Sequence, residues 1–277
     1  MGKKRGIDMS EYQKSSTINY SRLSKSVDFV ILRSSRGNKT IDKEFLNHVE
    51  NCKKHKIPIL GVYHFLYTTN TDDARQEAAD CISFVKKAGL PKTTIIFADF
   101  EYDTVKKAAA KGIKLGKKEC VAHTKAFCEY CEKEGYPVGI YSNIDYRKNM
   151  YTNALINKYI FWLADYTGGP DYPCEIQQSS SKGRVDGYSG DLDMDYLTAT
   201  NFSKKKSGTY VVNKKAHMRS NAGIGFNDVI ILPKNSVVKS TGFYSKSSAK
   251  NVWLYASVDV DGKHYEGFIV ESKLTKK

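Results

Sequence analysis

The 277-residue chain is 40% hydrophobic and 12% aromatic, which is enough for one large core or for a large and a small one. No apolar run approaches the roughly 18 residues of a membrane helix, and the N-terminal segment lacks a secretory signal, so we expect a cytoplasmically made protein without membrane insertion. The net charge of +14 favours a polyanionic partner (nucleic acid, anionic lipid or an anionic wall polymer), unless lysine serves only for solubility.

Strand and helix signals alternate over the first 200 residues. Strand-like runs lie at Arg5–Ser10, Asp28–Ser34, Pro58–Tyr67, Thr94–Tyr102, Pro137–Asn143, Tyr159–Tyr166, Glu175–Ser179 and Gly190–Tyr196. Helical patterns include Asp42–Lys56, Asp72–Ala88 and Leu115–Glu134. This alternation predicts an α/β fold, an irregular, TIM-like (β/α) barrel with some helices short or missing. The connection between the last strands is too short for a helix, so we expect that part to be irregular, with antiparallel pairing as one option.

The composition changes at residues 198–207, where Asn, Ser and the run Lys204–Lys206 predict a linker. Helical patterns stop there, and short strand-like runs alternate with Gly, Asn, Pro and Asp turns. We therefore predict a barrel domain over 1–200, a linker over 201–207 and a small all-β barrel over 208–277. The last segment carries 11 Lys and Arg against 5 Asp and Glu, so it holds a large part of the positive charge.

The six cysteines show no spacing typical of a disulfide framework, and five of them fall in helical patterns. Cys128 and Cys131 have the spacing of a zinc or redox pair, but no second such pair and no nearby pair of histidines accompanies them. We therefore expect buried structural thiols, no metal site and no cofactor.

The segment Thr94–Asp103 is a β-branched, apolar run that ends in two carboxylates, Asp99 and Glu101. Because side chains alternate along a strand, both acids should point to the same side at the end of the strand. Two converging acids suit general acid and base chemistry on a sugar. The alternative is a solvated strand end without a catalytic role.

Acids and aromatic residues dominate the other strand ends, which meet at one face of a barrel. These residues are Asp8, Ser10, Gln13, Tyr63, His64, Phe65, Tyr141, Ser142, Asn143, Trp162, Asp165, Tyr166, Gln177, Gln178, Asp191, Asp193 and Asp195. Aromatic faces stack on sugar rings, and amides and carboxylates bind their hydroxyl and acetamido groups. Clustered acids also hold Mg²⁺ or Mn²⁺, so a metal-dependent phosphoester hydrolase is the rival, although the usual His ligands are missing.

Six motifs in this order resemble glycoside hydrolase family 25, the lysozymes of the Chalaropsis type. They are Asp8–Gln13, Gly61–Phe65, Phe97–Glu101, Gly139–Asn143, Trp162–Tyr166 and Gly190–Asp195. The resemblance covers roughly residues 4–200 and implies an irregular (β/α) barrel. It also implies hydrolysis of the β-1,4 bond between N-acetylmuramic acid and N-acetylglucosamine in bacterial peptidoglycan.

The resemblance assigns roles to individual residues. Glu101 matches the catalytic acid, Asp99 the second carboxylate of the motif, and Asp8 and Asp193 two further acids of the site. Four residues match positions that line the cleft, namely Tyr63, Tyr141, Trp162 and Gln177. His64 should face away from its neighbour Tyr63, so we expect a hydrogen-bonded structural histidine. Asp103, Asp191 and Asp195 are expected to support the site, cap a helix or face solvent.

The segment over 208–275 resembles a bacterial SH3-like wall-binding module through Ala216–Gly223 and Gly262–Ile269. Its positive charge suits the anionic polymers of Gram-positive walls, so the expected partners are peptidoglycan and these polymers, not nucleic acid. A catalytic barrel, a wall-binding module and the absence of an export signal together predict a phage endolysin that reaches the wall after holin-type release. A host autolysin of the same activity and a wall-binding protein without catalysis are the alternatives.

Overall fold

The computed structural model describes residues 4–198, 202–219, 222–225, 227–248 and 251–277. The chain separates into two compact units, 1–198 and 199–277. Strand and helix alternate in the first unit, whereas the described part of the second consists of strands and one short 3-10 turn. Each unit has its own cluster of buried hydrophobic side chains.

The first unit is a closed barrel of eight strands, with a short ninth strand paired at its edge. The strands are β1 (Arg5–Met9), β2 (Phe29–Arg36), β3 (Thr40–Ile41), β4 (Ile59–Phe65), β5 (Ile95–Asp99), β6 (Val138–Asn143), β7 (Ile160–Ala164), β8 (Ile176–Val185) and β9 (Tyr188–Leu197). Neighbouring barrel strands are parallel from β1 through β2, β4, β5, β6 and β7 to β8. Strand β9 closes the barrel by pairing antiparallel with both β8 and β1. The predicted α/β barrel with an irregular last part is confirmed at this level.

Helices cover the outside of the barrel. They are α1 (Tyr20–Leu23), α2 (Phe45–Lys54), α3 (Thr71–Lys87), α4 (Tyr102–Ala109), α5 (Lys117–Lys133), α6 (Ile144–Asn149) and α7 (Asn153–Ile156). The three long helices that the sequence pattern predicts correspond to α2, α3 and α5. All six cysteines are buried, and several pack between these helices and the sheet. Within the described residues, none of the helices is long and apolar enough to cross a membrane.

Strands β8 and β9 form a hairpin that is longer than the sequence pattern indicates. The pattern ends the first strand at Ser179, but the pairing continues to Val185 opposite Tyr188. The turn between them contains Gly187, whose φ of 101° lies in the region that favours glycine. A Cβ atom at this position would lie 2.6 Å from the carbonyl oxygen of Asn19, so the close approach of the two loops also requires glycine.

The interior of the barrel is filled below its mouth by large apolar side chains, which are Phe29, Ile31, Phe97, Trp162 and Ile176. These residues belong to alternate positions of four strands, as expected for side chains that point inward. The ring of Phe97 fits because β4 and β6 have glycines beside it. A Cβ atom on Gly139 would lie 2.3 Å from this ring, and one on Gly61 would lie 2.8 Å from it. This packed layer forms the floor on which the polar residues of the mouth rest.

The second unit contains a seven-stranded antiparallel sheet. Its strands are β10 (Phe202–Val212), β11 (Ala216–Arg219), β12 (Asp228–Leu232), β13 (Val237–Ser248), β14 (Asn251–Val260), β15 (Lys263–Val270) and β16 (Leu274–Lys276). The predicted linker over 201–207 overlaps β10, which pairs with β13 from Phe202 onward, while residue 201 lies outside the described residues. Backbone pairing does not depend on side-chain charge, so a lysine run can lie within a strand. Residues 220 and 221 of the SH3-like motif also lie outside the described residues.

Candidate active site

A pocket of about 220 Å³ opens at the carboxyl ends of the parallel barrel strands. Seven of the eight predicted site residues line it, namely Asp8, Asp99, Glu101, Asp193, Tyr63, Tyr141 and Trp162. Strand register brings them together, because Asp99 pairs with Tyr141 on the next strand and Tyr141 with Trp162 on the one after. Asp8 lies opposite Asp193 across the closing pair of strands. The four predicted carboxyl groups therefore share one pocket with the three predicted aromatic rings.

Asp99 and Glu101 form a close pair of carboxyls. Along this segment Phe97 points into the barrel, Ala98 and Phe100 pack toward the helices, and the two acids face the pocket, as the strand alternation predicts. Burial, repulsion from Glu101 and a hydrogen bond with it raise the pKa of Asp99 well above its usual value. Burial also raises the pKa of Glu101. Both shifts favour the protonated forms of these carboxyls.

The backbone around Glu101 is fixed by the start of α4. The backbone N–H of Glu101 donates to the Thr104 Oγ1 atom at 3.2 Å, and this hydroxyl donates to the Leu66 carbonyl oxygen at 2.6 Å. Thr104 is fully buried and ties the end of β5 to the segment that follows β4. The acid thus projects into the pocket from a backbone that cannot easily shift.

A second pair of buried carboxyls lies at the floor of the pocket. Asp8 accepts a hydrogen bond from the Gln178 Nε2 atom at 2.7 Å, and Asp195 accepts one from the Trp162 Nε1 atom at 2.8 Å. Burial, and then repulsion from Asp195, raises the pKa of Asp8 well above its usual value. Burial likewise raises the pKa of Asp195. Asp195 therefore supports the site from below by orienting the indole of Trp162.

Asp193 lies nearer the solvent than these four acids, and burial raises its pKa to about 6. Asp191 and Asp103 are exposed and pair with Arg184 and Lys106, respectively. Asp191 and Asp103 therefore face solvent, which is one of the alternatives predicted for them from the sequence.

The raised pKa of Asp193 gives a testable dependence of stability on pH. A carboxyl with a folded-state pKa above its unfolded value stabilises the fold below the unfolded pKa, and this contribution is lost as pH rises through the folded pKa. Asp193→Asn should therefore increase the free energy of unfolding by about 1–3 kcal/mol at about pH 7. The difference should disappear near about pH 4, where the wild-type aspartate is protonated in the folded state. Urea unfolding at both pH values measures this, and an equal effect at both would contradict the assignment.

Of the aromatic residues that line the pocket, Tyr63 and Tyr141 both contact Trp162. The ring of Trp162 lies edge-on to Tyr141 at 4.8 Å, to Phe97 at 5.3 Å and to Tyr63 at 5.8 Å between centroids. Trp162 is only 1% exposed, so it contributes to the floor and offers little area to a ligand. Tyr63 and Tyr141 lie above it and are accessible from the pocket. Tyr12 and Tyr166 line the outer part of the pocket and are 76% and 52% exposed.

Gln178 occupies the place that the sequence comparison assigns to Gln177. Gln177 does not line the pocket, because its amide points away and donates to the carbonyl oxygens of Asp165 and Gly168, both at 2.8 Å. Gln178 instead lines the pocket and accepts hydrogen bonds from the hydroxyls of Tyr141 and Tyr166 at 3.0 and 2.8 Å. The reason is strand parity: Ile176 packs inside the barrel, so Gln178 points inward and Gln177 outward.

Alanine substitutions at the two glutamines should separate these roles. Gln178→Ala removes the partner of Asp8, Tyr141 and Tyr166, so kcat/KM should fall about tenfold with little change in unfolding midpoint. Gln177→Ala removes the hydrogen bonds to the carbonyls of buried Asp165 and of Gly168, so it should lower the free energy of unfolding by about 1–3 kcal/mol and affect kcat/KM less. Steady-state kinetics and thermal unfolding of both variants measure the contrast. If Gln177→Ala lowered kcat/KM more than Gln178→Ala, and Gln178→Ala lowered the stability more, Gln177 would be the functional residue of the pocket.

Arg33 is the basic side chain that lines the pocket, and the sequence reasoning missed it. Its guanidinium forms ion pairs with Asp42 at 2.7 Å and with Glu11 at 3.1 Å, and it is 7% exposed. The signal was available, because Phe29 and Ile31 point into the barrel and the same parity places Arg33 inside at the carboxyl end of β2. The arginine offsets part of the negative charge of the acids and lowers the pKa of Asp99 relative to burial alone.

His64 lies outside the pocket, as expected for a structural histidine. It is fully buried, bonded through Nδ1 to the Ser35 hydroxyl at 2.8 Å and through Nε2 to Glu77 at 2.9 Å. Burial alone would lower its pKa, but hydrogen bonds with Cys81 and Glu77 raise it to about 9. Among the described residues, no group of three or more His, Cys, Asp or Glu side chains has the geometry to hold a metal ion.

The family model of glycosyl hydrolases family 25 matches residues 7–188, and the chain belongs to this family. It is therefore a glycoside hydrolase. No curated protein matches the chain.

Several solved structures are similar to the chain. The modular autolysin LytC from Streptococcus pneumoniae, solved with a synthetic peptidoglycan ligand, is 24% identical over 70% of this chain, with a TM-score of 0.61, and the match covers 46% of that protein. The catalytic domain of endolysin ply40 from bacteriophage P40 of Listeria monocytogenes is 25% identical over 71% of this chain and 94% of its own, with a TM-score of 0.58. The spore cortex lytic enzyme SleM from Clostridium perfringens is 18% identical over 96% of this chain and 97% of its own, also with a TM-score of 0.58.

Proposed function

We propose that this protein is an N-acetylmuramidase that cleaves the β-1,4 bond between N-acetylmuramic acid and N-acetylglucosamine in peptidoglycan. The observation that carries the proposal is that the carboxyls of Asp99 and Glu101 face one pocket that is also lined by tyrosines. A carboxyl that keeps its proton near neutral pH can donate it to a glycosidic oxygen. Membership of family 25 supports the same chemistry.

In this mechanism Glu101 donates its proton to the glycosidic oxygen as the bond breaks. In its carboxylate form, Asp99 stabilises the positive charge that develops on the sugar or orients the 2-acetamido group as an internal nucleophile. We favour the second role, with retention of configuration, because the substrate itself supplies that group. Asp8 and Asp193 bind the same sugar, and the hydrogen bonds of Gln178 fix the positions of the Asp8 and Tyr141 side chains.

Purified peptidoglycan provides the test of substrate class. We expect release of soluble fragments with new reducing ends, no new free amino groups, and full activity in EDTA. Release of amines would indicate an amidase or peptidase. Loss of activity in EDTA that a divalent ion restores would favour the metal-dependent hydrolase. Wall binding without any release would indicate a protein that only binds.

The biological setting that we propose is lysis by a phage endolysin that accumulates in the cytoplasm and reaches the wall after holin-type release. The similarity to endolysin ply40 supports this setting. The similarity to autolysin LytC keeps a host autolysin as the second candidate.

We propose further that the second unit is an SH3-like module that binds the cell wall. It has a core of its own, built from residues such as Val212, Met218, Leu254 and Ile269, and a basic composition that suits anionic wall polymers. Tethering would raise the effective concentration of the barrel at its insoluble substrate. Because β10 begins at Phe202, a fragment that tests the module has to start before that residue.

A fragment over residues 199–277 should sediment with Gram-positive walls without cutting them. Removal of the same segment should slow lysis of whole cells more than cleavage of small soluble glycans. Binding that weakens with salt would indicate charge recognition, and binding that persists would indicate a shaped pocket. A folded fragment with no affinity for walls would contradict the role of the module.

A further inference from the structure

Exposed aromatic side chains concentrate at the mouth of the barrel. Among the described residues 4–198, the exposed large hydrophobic side chains are three tyrosines: Tyr12, Tyr102 and Tyr166. Each follows the carboxyl end of a barrel strand, β1, β5 and β7, respectively. Tyr12 and Tyr166 belong to the pocket, whereas Tyr102 lies outside it, immediately after Glu101. Exposed aromatic area gathered beside one pocket is typical of a surface that receives a ligand.

The position of the Tyr102 ring is fixed by its neighbours. Its hydroxyl donates to the Asp145 Oδ2 atom at 2.7 Å, and the Asn143 side chain lies beside it. One side of the ring meets Tyr146 edge-on, with the centroids 4.8 Å apart and the planes at 82°. The other oxygen of Asp145 accepts a hydrogen bond from the Asn149 side chain at 2.6 Å. The ring is therefore held in one orientation, although 47% of the side chain is exposed.

Tyr67, another tyrosine at the mouth of the barrel, differs from Tyr102 in its contacts. Tyr67 follows β4, but the Lys107 ammonium lies over its ring at 3.5 Å from the centroid. That ring already has a partner on one face, and Tyr67 is less exposed than Tyr102. Lys107 of α4 therefore covers one face of the Tyr67 ring, whereas the ring of Tyr102 remains partly open to an external ligand.

We propose that Tyr102, together with Asn143 and Asp145, forms a subsite for a pyranose ring on the leaving-group side of the cleaved bond. The inference rests on the proposed glycan substrate and extends it beyond the pocket. Glu101 has to touch the glycosidic oxygen, so the sugar that leaves lies past Glu101, where Tyr102 is the next residue. The ring supplies a face for stacking, and the amide and carboxylate beside its hydroxyl are suited to bind sugar hydroxyl or acetamido groups.

Two substrates that share the same glycan but differ in leaving group test the subsite. One is a soluble peptidoglycan glycan with further sugars after the cleaved bond. The other is the corresponding methyl glycoside, whose leaving oxygen also needs the proton of Glu101 but which places no sugar near Tyr102. Tyr102→Ala should lower kcat/KM for the glycan about fivefold to tenfold and leave kcat/KM for the methyl glycoside unchanged. Tyr102→Phe, which keeps the ring, should retain most of the activity. Lys106→Ala, an exposed truncation on α4, is the control and should change neither value.

The outcomes separate the subsite from the proposed function. Equal losses on both substrates would show that Tyr102 only positions Glu101, and unchanged activity on both would show that no sugar binds there. Either result overturns the subsite while wild-type cleavage of the glycan upholds the muramidase. If the wild-type protein cleaves neither substrate, the proposed function fails and the subsite fails with it.

Discussion

Glu101→Gln should reduce cleavage of peptidoglycan by at least about 100-fold, because the amide cannot donate a proton to the leaving oxygen. The substitution keeps the shape of the side chain and removes a buried acid whose charged form burial disfavours. We therefore expect the variant to fold with an unfolding midpoint close to that of the wild type. Reducing-end release and thermal unfolding measure the two effects.

A glycosyl fluoride sharpens this test of Glu101, because fluoride departs without protonation. Activity of Glu101→Gln on this substrate should remain much closer to the wild-type value than its activity on the glycan. Glu50→Gln, at an exposed position of α2, is the matched control and should behave as the wild type on both substrates. An equal loss on glycan and fluoride would assign Glu101 a role other than that of the acid.

Asp99→Asn should also lower activity by at least about 100-fold, but on both substrates alike. Its carboxylate acts on the developing charge of the sugar, which forms whichever group leaves. The side chain is 2% exposed, and burial raises its pKa well above the usual value, so its neutral isostere should not destabilise the fold. Binding of intact glycan should persist, because the substitution keeps the volume and one acceptor oxygen.

Comparison of kcat/KM on glycan and fluoride, with a glycan-binding measurement, checks this second prediction. Near-normal activity of Asp99→Asn would move the charge-stabilising role to Asp8 or Asp193. A loss confined to the glycan would make Asp99 a partner of proton transfer from Glu101 instead.

The shared pocket position of Asp99 and Glu101 was predictable from the sequence, because the information is local. Phe97 and Asp99 share one parity on β5, and Glu101, in extended backbone between β5 and α4, continues it. The aromatic lining of the pocket followed from strand ends that meet at one face of the barrel. Neither inference required knowledge of which strands are neighbours.

The sequence does not reveal which strands pair or which face of a strand each residue occupies, and the predictions that depended on this were wrong. Gln177 and Gln178 are chemically identical neighbours, and only the pairing of Ile176 with Trp162 decides which of them faces the pocket. Asp195 supports Trp162, which agrees with one of the alternatives predicted for it. The Asn, Ser and Lys composition of residues 201–207 predicts a linker, yet β10 begins at Phe202, since the backbone supplies the pairing.

A muramidase that acts through the pocket around Asp99 and Glu101 leaves N-acetylmuramic acid at each new reducing end of the glycan strand. Mass spectrometry of fragments from purified peptidoglycan, reduced with borohydride after digestion, identifies the sugar at each new reducing end. We expect reduced N-acetylmuramic acid at these ends in the wild-type digest and its absence in the Glu101→Gln digest. Reduced N-acetylglucosamine at the new ends, or fragments that differ only in their peptides, would contradict this expectation.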